Sequence, residues 1–224
     1  MNDELKKRAA LEALGQVREG MVVGLGTGST ASYFIRELGA RARLGLRISA
    51  IPTSIDSERI AREAGVPLTT FQDHTVLDLT VDGADEVSPR LDLIKGLGGA
   101  LVREKVVARA SRRVVIVVDE SKLVNRLGTK TPVPIEVIPF AAGPVASQLT
   151  TLGGQAQIRE IRGVRFISDN GNHIIDWHHG PIDDPIEVER QIKWIAGVVD
   201  CGIFSGIANA VIVAGSSGIR TLTA

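Results

Sequence analysis

Short, continuous apolar runs alternate with amphipathic stretches along the first half of the chain. Ala9, Leu11, Leu14 and Val17 recur at helical spacing, which predicts an amphipathic helix over residues 3–18. The run "MVVGL" leads through a glycine-rich turn into a helix near residues 30–38, and "LRISAI" into a helix over 54–64. "VLDLTV" ends in "DGADEV", "LDLIKGLGG" opens a helix over 99–110, and "RVVIVVD" follows. Apolar strands without polar alternation need cover on both faces, so this order predicts a parallel sheet between helices.

The texture changes from Lys130 onward, where Pro132, Pro134, Pro139 and Pro144 crowd around "VPIEVI". Helix "AAGPVASQLTTLG", strand "QAQIREI", hairpin "VRFISDNGNHIIDW", helix "PIEVERQIKWIAG" and strand "VVDCGIF" follow. Within "DNGN", residues 169–172, Asn-Gly tolerates positive φ at both turn positions, which predicts a two-residue hairpin loop. Strand, helix, antiparallel strands, helix, strand describes a small α+β domain of ferredoxin-like character. The last apolar run, "NAVIVAG" at 209–215, is expected to rejoin the first sheet and make the small domain an insertion. The expected division is therefore 1–129 with 207–224 for the α/β domain, and 130–206 for the smaller one.

Composition narrows the function classes. Lys+Arg and Asp+Glu both number 26 in 224 residues, so the formal net charge is zero. A neutral balance removes the long-range attraction that polyanions need, which argues against nucleic acid as a partner. Cys201 is the one cysteine, so no intrachain disulfide can form, as expected of a reducing compartment. Its setting in "VVDCGIF" suits a small buried hydrophobe. The charged N-terminal stretch lacks a signal-peptide core, and no apolar run approaches the ~20 residues of a membrane span. The expectation is a cytoplasmic protein.

Ligands of open parallel sheets bind outside the carboxyl ends of the strands. "GTGST", "PTS", "DGADE", "KGLGG" and "DESK" each follow an apolar run, so all five clusters are expected at one sheet edge. In the first, Gly26 and Gly28 let backbone N–H groups approach an anion, while Ser29 and Thr30 offer hydroxyls and can cap the next helix. Gly26-x-Gly28-x-x-Ala31 also satisfies a dinucleotide fingerprint. That motif wants an acid about 20 residues on for the ribose, yet the second strand ends "ISAIPTS" without a carboxylate. A phosphate monoester, a nicotinamide cofactor and a purely structural turn remain as readings.

Asp82 and Asp85 stand three apart around a Gly83-Ala84 bend, so both can face one cleft, beside Glu86. They could orient sugar hydroxyls or bind a metal, but no His or Cys stands beside them to make a transition-metal site. Lys95 with Gly96, Gly98 and Gly99 forms a second anion-friendly loop before a helix. On that helix Glu104 shares a face with Ala100, Leu101, Val107 and Ala108. Burial would raise its pKa, whereas the helix N-terminus and Lys95 or Lys105 would lower it. A general base in such a place is one reading; a surface glutamate paired with Arg103 or Lys105 is the other. Lys122 could reach the same edge. His74, His173, His178 and His179 form no catalytic set.

Taken together, "GLGTGSTA", "VDGADEV", "IKGLGGALVREK", "VVDESKLV", "PVPIEVIP" and "DNGN" resemble, in order, the motifs of the type A ribose-5-phosphate isomerase family. The resemblance implies a Rossmann-like domain with a smaller α+β domain inserted, and homo-oligomers, dimeric or tetrameric. It implies aldose–ketose isomerisation of ribose 5-phosphate and ribulose 5-phosphate through a cis-enediolate, in the pentose phosphate pathway, with neither metal nor nucleotide cofactor. By position, Glu104 matches the family's catalytic base. Thr27, Gly28, Ser29 and Thr30 match its first substrate loop, Asp82, Gly83, Ala84 and Asp85 the second, and Lys95, Gly96, Leu97 and Gly98 the third. Lys122 matches the lysine after the next strand. The third loop commonly carries three consecutive glycines, and Leu97 interrupts them here. Glu104 on a rigid helix suits proton transfer between C1 and C2, while loop N–H groups and Lys95 are candidates for the enediolate oxygens. Asp82 and Asp85 would move protons between O1 and O2 or help open the ring, and Ser29, Thr30, Lys95 and Lys122 would hold the phosphate.

Other classes share the architecture. A CoA transferase would use a glutamate nucleophile, but the chain leaves little room for a CoA-binding half. A sugar-phosphate sensor would normally carry a DNA-binding module, and no N-terminal helix-turn-helix pattern is present.

Overall fold

In the computed structural model, which describes residues 3–216 and 218–223, the alternation of apolar runs becomes an alternation of strands and helices. Helix α1 (Asp3–Leu14) precedes β1 (Val22–Leu25), α2 (Ser29–Arg43), β2 (Ser49–Pro52), α3 (Ile55–Ala64) and β3 (Leu79–Asp82). Two short strands, β4 (Glu86–Val87) and β5 (Leu93–Ile94), lead to α4 (Leu101–Arg109) and β6 (Val114–Asp119). Then come β7 (Val133–Val137), α5 (Ala142–Thr151), β8 (Gln155–Ile158), β9 (Glu160–Ile161), β10 (Val164–Arg165) and β11 (His173–His178). Helix α6 (Pro185–Lys193), β12 (Val198–Cys201), β13 (Ile203–Phe204), β14 (Ala210–Gly215) and β15 (Gly218–Thr223) complete the order.

The chain divides into two compact units. The first takes the described residues of Met1–Ala84, Arg103–Lys122 and Ile207–Ala224; the second takes Asp85–Val102 and Leu123–Gly206. Residues 85–102 and 123–129, placed by the sequence reading with the α/β domain, group with the second unit.

In the first unit a six-stranded sheet runs β15-β14-β6-β3-β1-β2. All neighbours in it are parallel except β14 and β15, which form an antiparallel hairpin at the edge. Strands β1, β3, β6 and β14 are buried at every position, as cover on both faces requires. Val23, Leu25, Phe34, Leu38, Val117 and Ile212 belong to one core on this sheet. The run at 209–215 rejoins the sheet as expected, beside β6. Helix α1 differs from expectation: it ends at Leu14, and Leu11 is exposed. Its buried face is Ala9, Ala10, Ala13 and Leu14, where small side chains allow close approach to α2. Helix α3 starts at Ser54 through a reciprocal capping box with Ser57 and ends on Gly65 at φ 76°.

The second unit holds a four-stranded sheet of order β12-β7-β11-β8, antiparallel throughout. With α5 and α6 this is the ferredoxin-like β-α-β-β-α-β arrangement. Its core includes Val133, Ile135, Ile175, Trp177 and Cys201, which is fully buried. The run "LDLI" corrects the sequence reading. Leu93 and Ile94 join no parallel sheet but pair antiparallel with β4 and β13 in a separate three-stranded sheet. A two-residue buried strand is apolar in either arrangement, so its pattern cannot select its partners.

The hairpin forecast also shifts. The loop with both residues at positive φ is Arg162-Gly163 (φ 55° and 78°), joining β9 to β10. At "DNGN" only Gly171 takes positive φ (80°), and Ser168 N donates to Asn172 O across a three-residue loop. Asn170 is freed from the left-handed region, and its side-chain amide and that of Asn172 both donate to Glu136 Oε1, at 3.0 and 2.8 Å. Glu136 is completely buried, which gives these amides a structural purpose.

Candidate active site

The turn after β1 is held from beneath by an aspartate. Asp82 ends β3, is buried, and its Oδ1 accepts the N–H of Thr27 (3.0 Å) and of Gly83 (2.7 Å). Gly26 is required by this contact, because a Cβ there would lie 2.3 Å from Asp82 Oδ1. The Thr27 hydroxyl lies 2.8 Å from those of both Thr53 and Ser54, at the end of β2. The position where a dinucleotide site places its ribose acid is thus taken by hydroxyls that fix the first turn. Asp56 is exposed on α3 and paired with Arg59 at 2.7 Å.

Gly28 is the N-cap of α2, at φ 102° and ψ 174°, a conformation open to glycine, and no side chain caps the helix. This corrects the expectation that Ser29 or Thr30 would serve as cap. Both instead lie in the first turn, Ser29 exposed and Thr30 buried. A helix start without a side-chain cap leaves first-turn N–H groups to solvent or to an anion.

Glu104 stands in the first turn of α4 and is only 4% exposed, so it is not the solvated surface glutamate that its spacing also permitted. Leu101, Val107 and Ala108, on the same face, are buried as well. Lys105 is equally buried, which the sequence reading did not foresee. Lys122 closes a one-turn 3-10 helix (Glu120–Lys122) after β6 and is half-buried. The clusters after β1, β2, β3 and β6 follow parallel strands of one sheet and so share an edge.

Ala84 ends the first unit's opening segment, and the remaining predicted residues belong to the second unit. Asp85 is half-buried, and its Oδ2 accepts the N–H of Leu97 at 3.0 Å. Glu86, next to it, is fully buried and accepts the N–H groups of Gly128, Lys130 and Thr131 at 2.6–2.7 Å. The loop Lys95, Gly96, Leu97 and Gly98 leaves β5 of the small antiparallel sheet, not the parallel one. Lys95 is 3% exposed, with its Nζ 5.7 Å from the centre of the Phe204 ring. Gly96 adopts φ 102°, whereas Leu97 has no positive φ, so a side chain at 97 costs the backbone nothing. Leu97 presents its N–H to Asp85 and leaves its side chain partly exposed.

The sequence placed Thr53 and Ser54 at this edge without a role, and it did not single out Phe204 or Arg159. Arg159 Nη1 donates to the carbonyls of Gly96 (3.1 Å) and Leu97 (2.9 Å). The contacts these residues make to Thr27, Lys95, Gly96 and Leu97 join positions distant in sequence, so no local pattern signals them. Among the described residues, Glu189, Asp200 and Cys201 could bring ligand atoms together for a metal. Asp200 is, however, already engaged by Lys193 at 3.0 Å.

Residues 49–218 match the family model of ribose 5-phosphate isomerase A (phosphoriboisomerase A). Ribose-5-phosphate isomerase A of Gloeobacter violaceus is 50% identical over 222 residues, covering 99% of this chain and 96% of the relative. The structure of ribose 5-phosphate isomerase A from Methanocaldococcus jannaschii superposes with a TM-score of 0.95 at 46% identity, covering 100% of both chains. A D-ribose-5-phosphate isomerase solved in complex with phospho-erythronic acid gives 0.97 at 42% identity, again over 100% of both chains. With a family model spanning most of its length and half its residues identical to a full-length relative, the chain belongs to the ribose 5-phosphate isomerase A family.

Proposed function

We propose that this protein interconverts D-ribose 5-phosphate and D-ribulose 5-phosphate, with Glu104 as the single acid/base. The observation that carries the reading is the phospho-erythronic acid bound to the relative of TM-score 0.97. That ligand joins a phosphate to a planar carboxylate, whose two oxygens resemble O1 and O2 of a cis-enediolate. In the forward direction Glu104 takes the proton from C2 of the open-chain aldose, leaving the enediolate, and returns it to C1 of the ketose. The proton on O2 leaves as one reaches O1, a transfer assigned to Asp82 or Asp85. The reaction is redox-neutral within the substrate, so no external oxidant or reductant enters. Buried Lys95 and loop N–H groups suit the developing oxygen charge. Ser29, Thr30 and the cations of Lys95 and Lys122 suit the phosphate.

The test is incubation with ribose 5-phosphate in D2O, with chelator and without nucleotide, followed by NMR. Deuterium at C2 and accumulation of ribulose 5-phosphate are expected. Absence of both would remove the isomerase reading.

The setting is proposed to be a reducing cytoplasm, in keeping with a single buried cysteine, Cys201, and no possible intrachain disulfide. No helix among the described residues is long and apolar enough to cross a membrane. A homo-oligomer is proposed as well, supported by Phe140 and Trp194, which are 95% and 80% exposed on the second unit. Light scattering should give a mass above one chain, falling in a Phe140→Lys/Trp194→Lys variant; a wild-type monomer would refute assembly.

A further inference from the structure

The loop of Lys95, Gly96, Leu97 and Gly98 is gripped from one side by a single arginine. Arg159 lies between β8 and β9 with its side chain 9% exposed. One edge of the guanidinium forks onto Asp176, Nε to Oδ2 at 2.8 Å and Nη2 to Oδ1 at 2.5 Å. Nη1 turns the other way and donates to Gly96 O and Leu97 O. The ring of Phe166 lies under the guanidinium, 5.6 Å from its centre. The same ring fills the space beside Gly99, where a Cβ would come within 2.4 Å of it.

We infer that Arg159 is the positioning residue of this loop, fixing the backbone at Gly96 and Leu97 so that the Leu97 N–H meets Asp85. The inference rests on the isomerase reading, in which this loop binds substrate. Four of the five guanidinium N–H groups are spent on protein acceptors, so Arg159 acts through the loop and not on the sugar phosphate. The contact to Gly96 is part-buried and that to Leu97 exposed, and a charged donor holds such carbonyls more strongly than a neutral one. Asp176 aims the fork, and Phe166 limits its tilt. Lysine cannot replace it, since one ammonium cannot span a carboxylate edge and two carbonyls in fixed geometry.

The experiment compares wild type, Arg159→Lys and the double variant Arg159→Met/Asp176→Asn, which leaves no orphaned charge. Two quantities are read: amide hydrogen exchange at Leu97, and kcat and KM for ribose 5-phosphate. Both variants should exchange at Leu97 at least ~10-fold faster and lose ~10–100-fold in kcat/KM, because misplacement of about 1 Å can cost ~100-fold. Arg126→Met, which breaks only an exposed pair with Asp183, should change neither. Unchanged kcat/KM in the variants overturns the inference, as does Leu97 exchange at the wild-type rate. If the double variant fails to fold, Arg159→Lys carries the same two readouts. A wild type without turnover would instead count against the isomerase reading, and Leu97 exchange would still judge the contact.

Discussion

The carboxylate of Asp82 holds the backbone N–H of Thr27 at 3.0 Å, across a gap that only a glycine at position 26 leaves open. The glycine-rich turn is therefore shaped by an aspartate from the neighbouring strand. Of its two fingerprint glycines, Gly26 serves Asp82, and Gly28 serves the backbone at the start of α2.

These two glycines should fail differently. Gly26→Ala drives a methyl into Asp82, and overpacking of this kind costs about 1–3 kcal/mol. Gly28→Ala meets no atom within 4 Å, yet its φ of 102° strains any L side chain, also by about 1–3 kcal/mol. Urea unfolding should show both losses. Crystal structures of the variants should show Asp82 displaced only in Gly26→Ala; an undisplaced Asp82 there would contradict the steric account.

Glu104→Gln removes the proton acceptor while keeping shape and burial. Turnover of ribose 5-phosphate should fall by at least ~100-fold, the lower range for general acid–base catalysis. Binding measured by calorimetry should stay within a few fold. Near-normal turnover would mean that another group is the base.

Glu86 is buried and accepts three backbone N–H groups of one loop, so Glu86→Gln turns an acceptor into a donor facing a donor. A loss of about 1–3 kcal/mol in unfolding free energy is expected. The amides of Gly128, Lys130 and Thr131 should exchange faster. A change within the ~0.5 kcal/mol typical of surface substitutions would deny Glu86 this role.

The hydrogen bonds of Arg190, and then that of Gln191, lower the Glu187 carboxyl to about 2. A depressed folded-state pKa contributes stability above the unfolded value of ~4.3, lost as pH falls from there toward 2. The Glu187 side chain is about two-fifths exposed and lies on the surface of α6, so salt screens the contribution. Carboxyl NMR should find a midpoint near 2, moving up toward ~4.3 in Arg190→Met. An unmoved midpoint would show that the arginine is not the cause.

Much of this architecture is legible in the chain. The runs that became β1, β3, β6 and β14 are long enough and apolar enough to demand a covered parallel sheet, and the helix expected over 54–64 matches α3. "LDLI" was misplaced because two buried residues look alike in parallel and antiparallel pairing. "DNGN" did mark a turn, but its asparagines serve Glu136, thirty-odd residues earlier, and so avoid the two-residue loop. Asp82, Lys95 and Glu104 stood out by motif; their burial did not, because it depends on what packs over them.

The sequence by itself determined the order of elements, the glycine positions that need unusual backbone, and the residue types offered to a sugar phosphate. These follow from local sterics and from hydrophobic periodicity, which each segment carries within itself. The tertiary structure alone decided that Asp82 grips Thr27, that Asp85 receives the N–H of Leu97, and that Arg159 holds the same loop by its carbonyls. Each of those contacts joins residues whose separation along the chain leaves no periodic trace. Their geometry is fixed only when the strands and helices between them have packed.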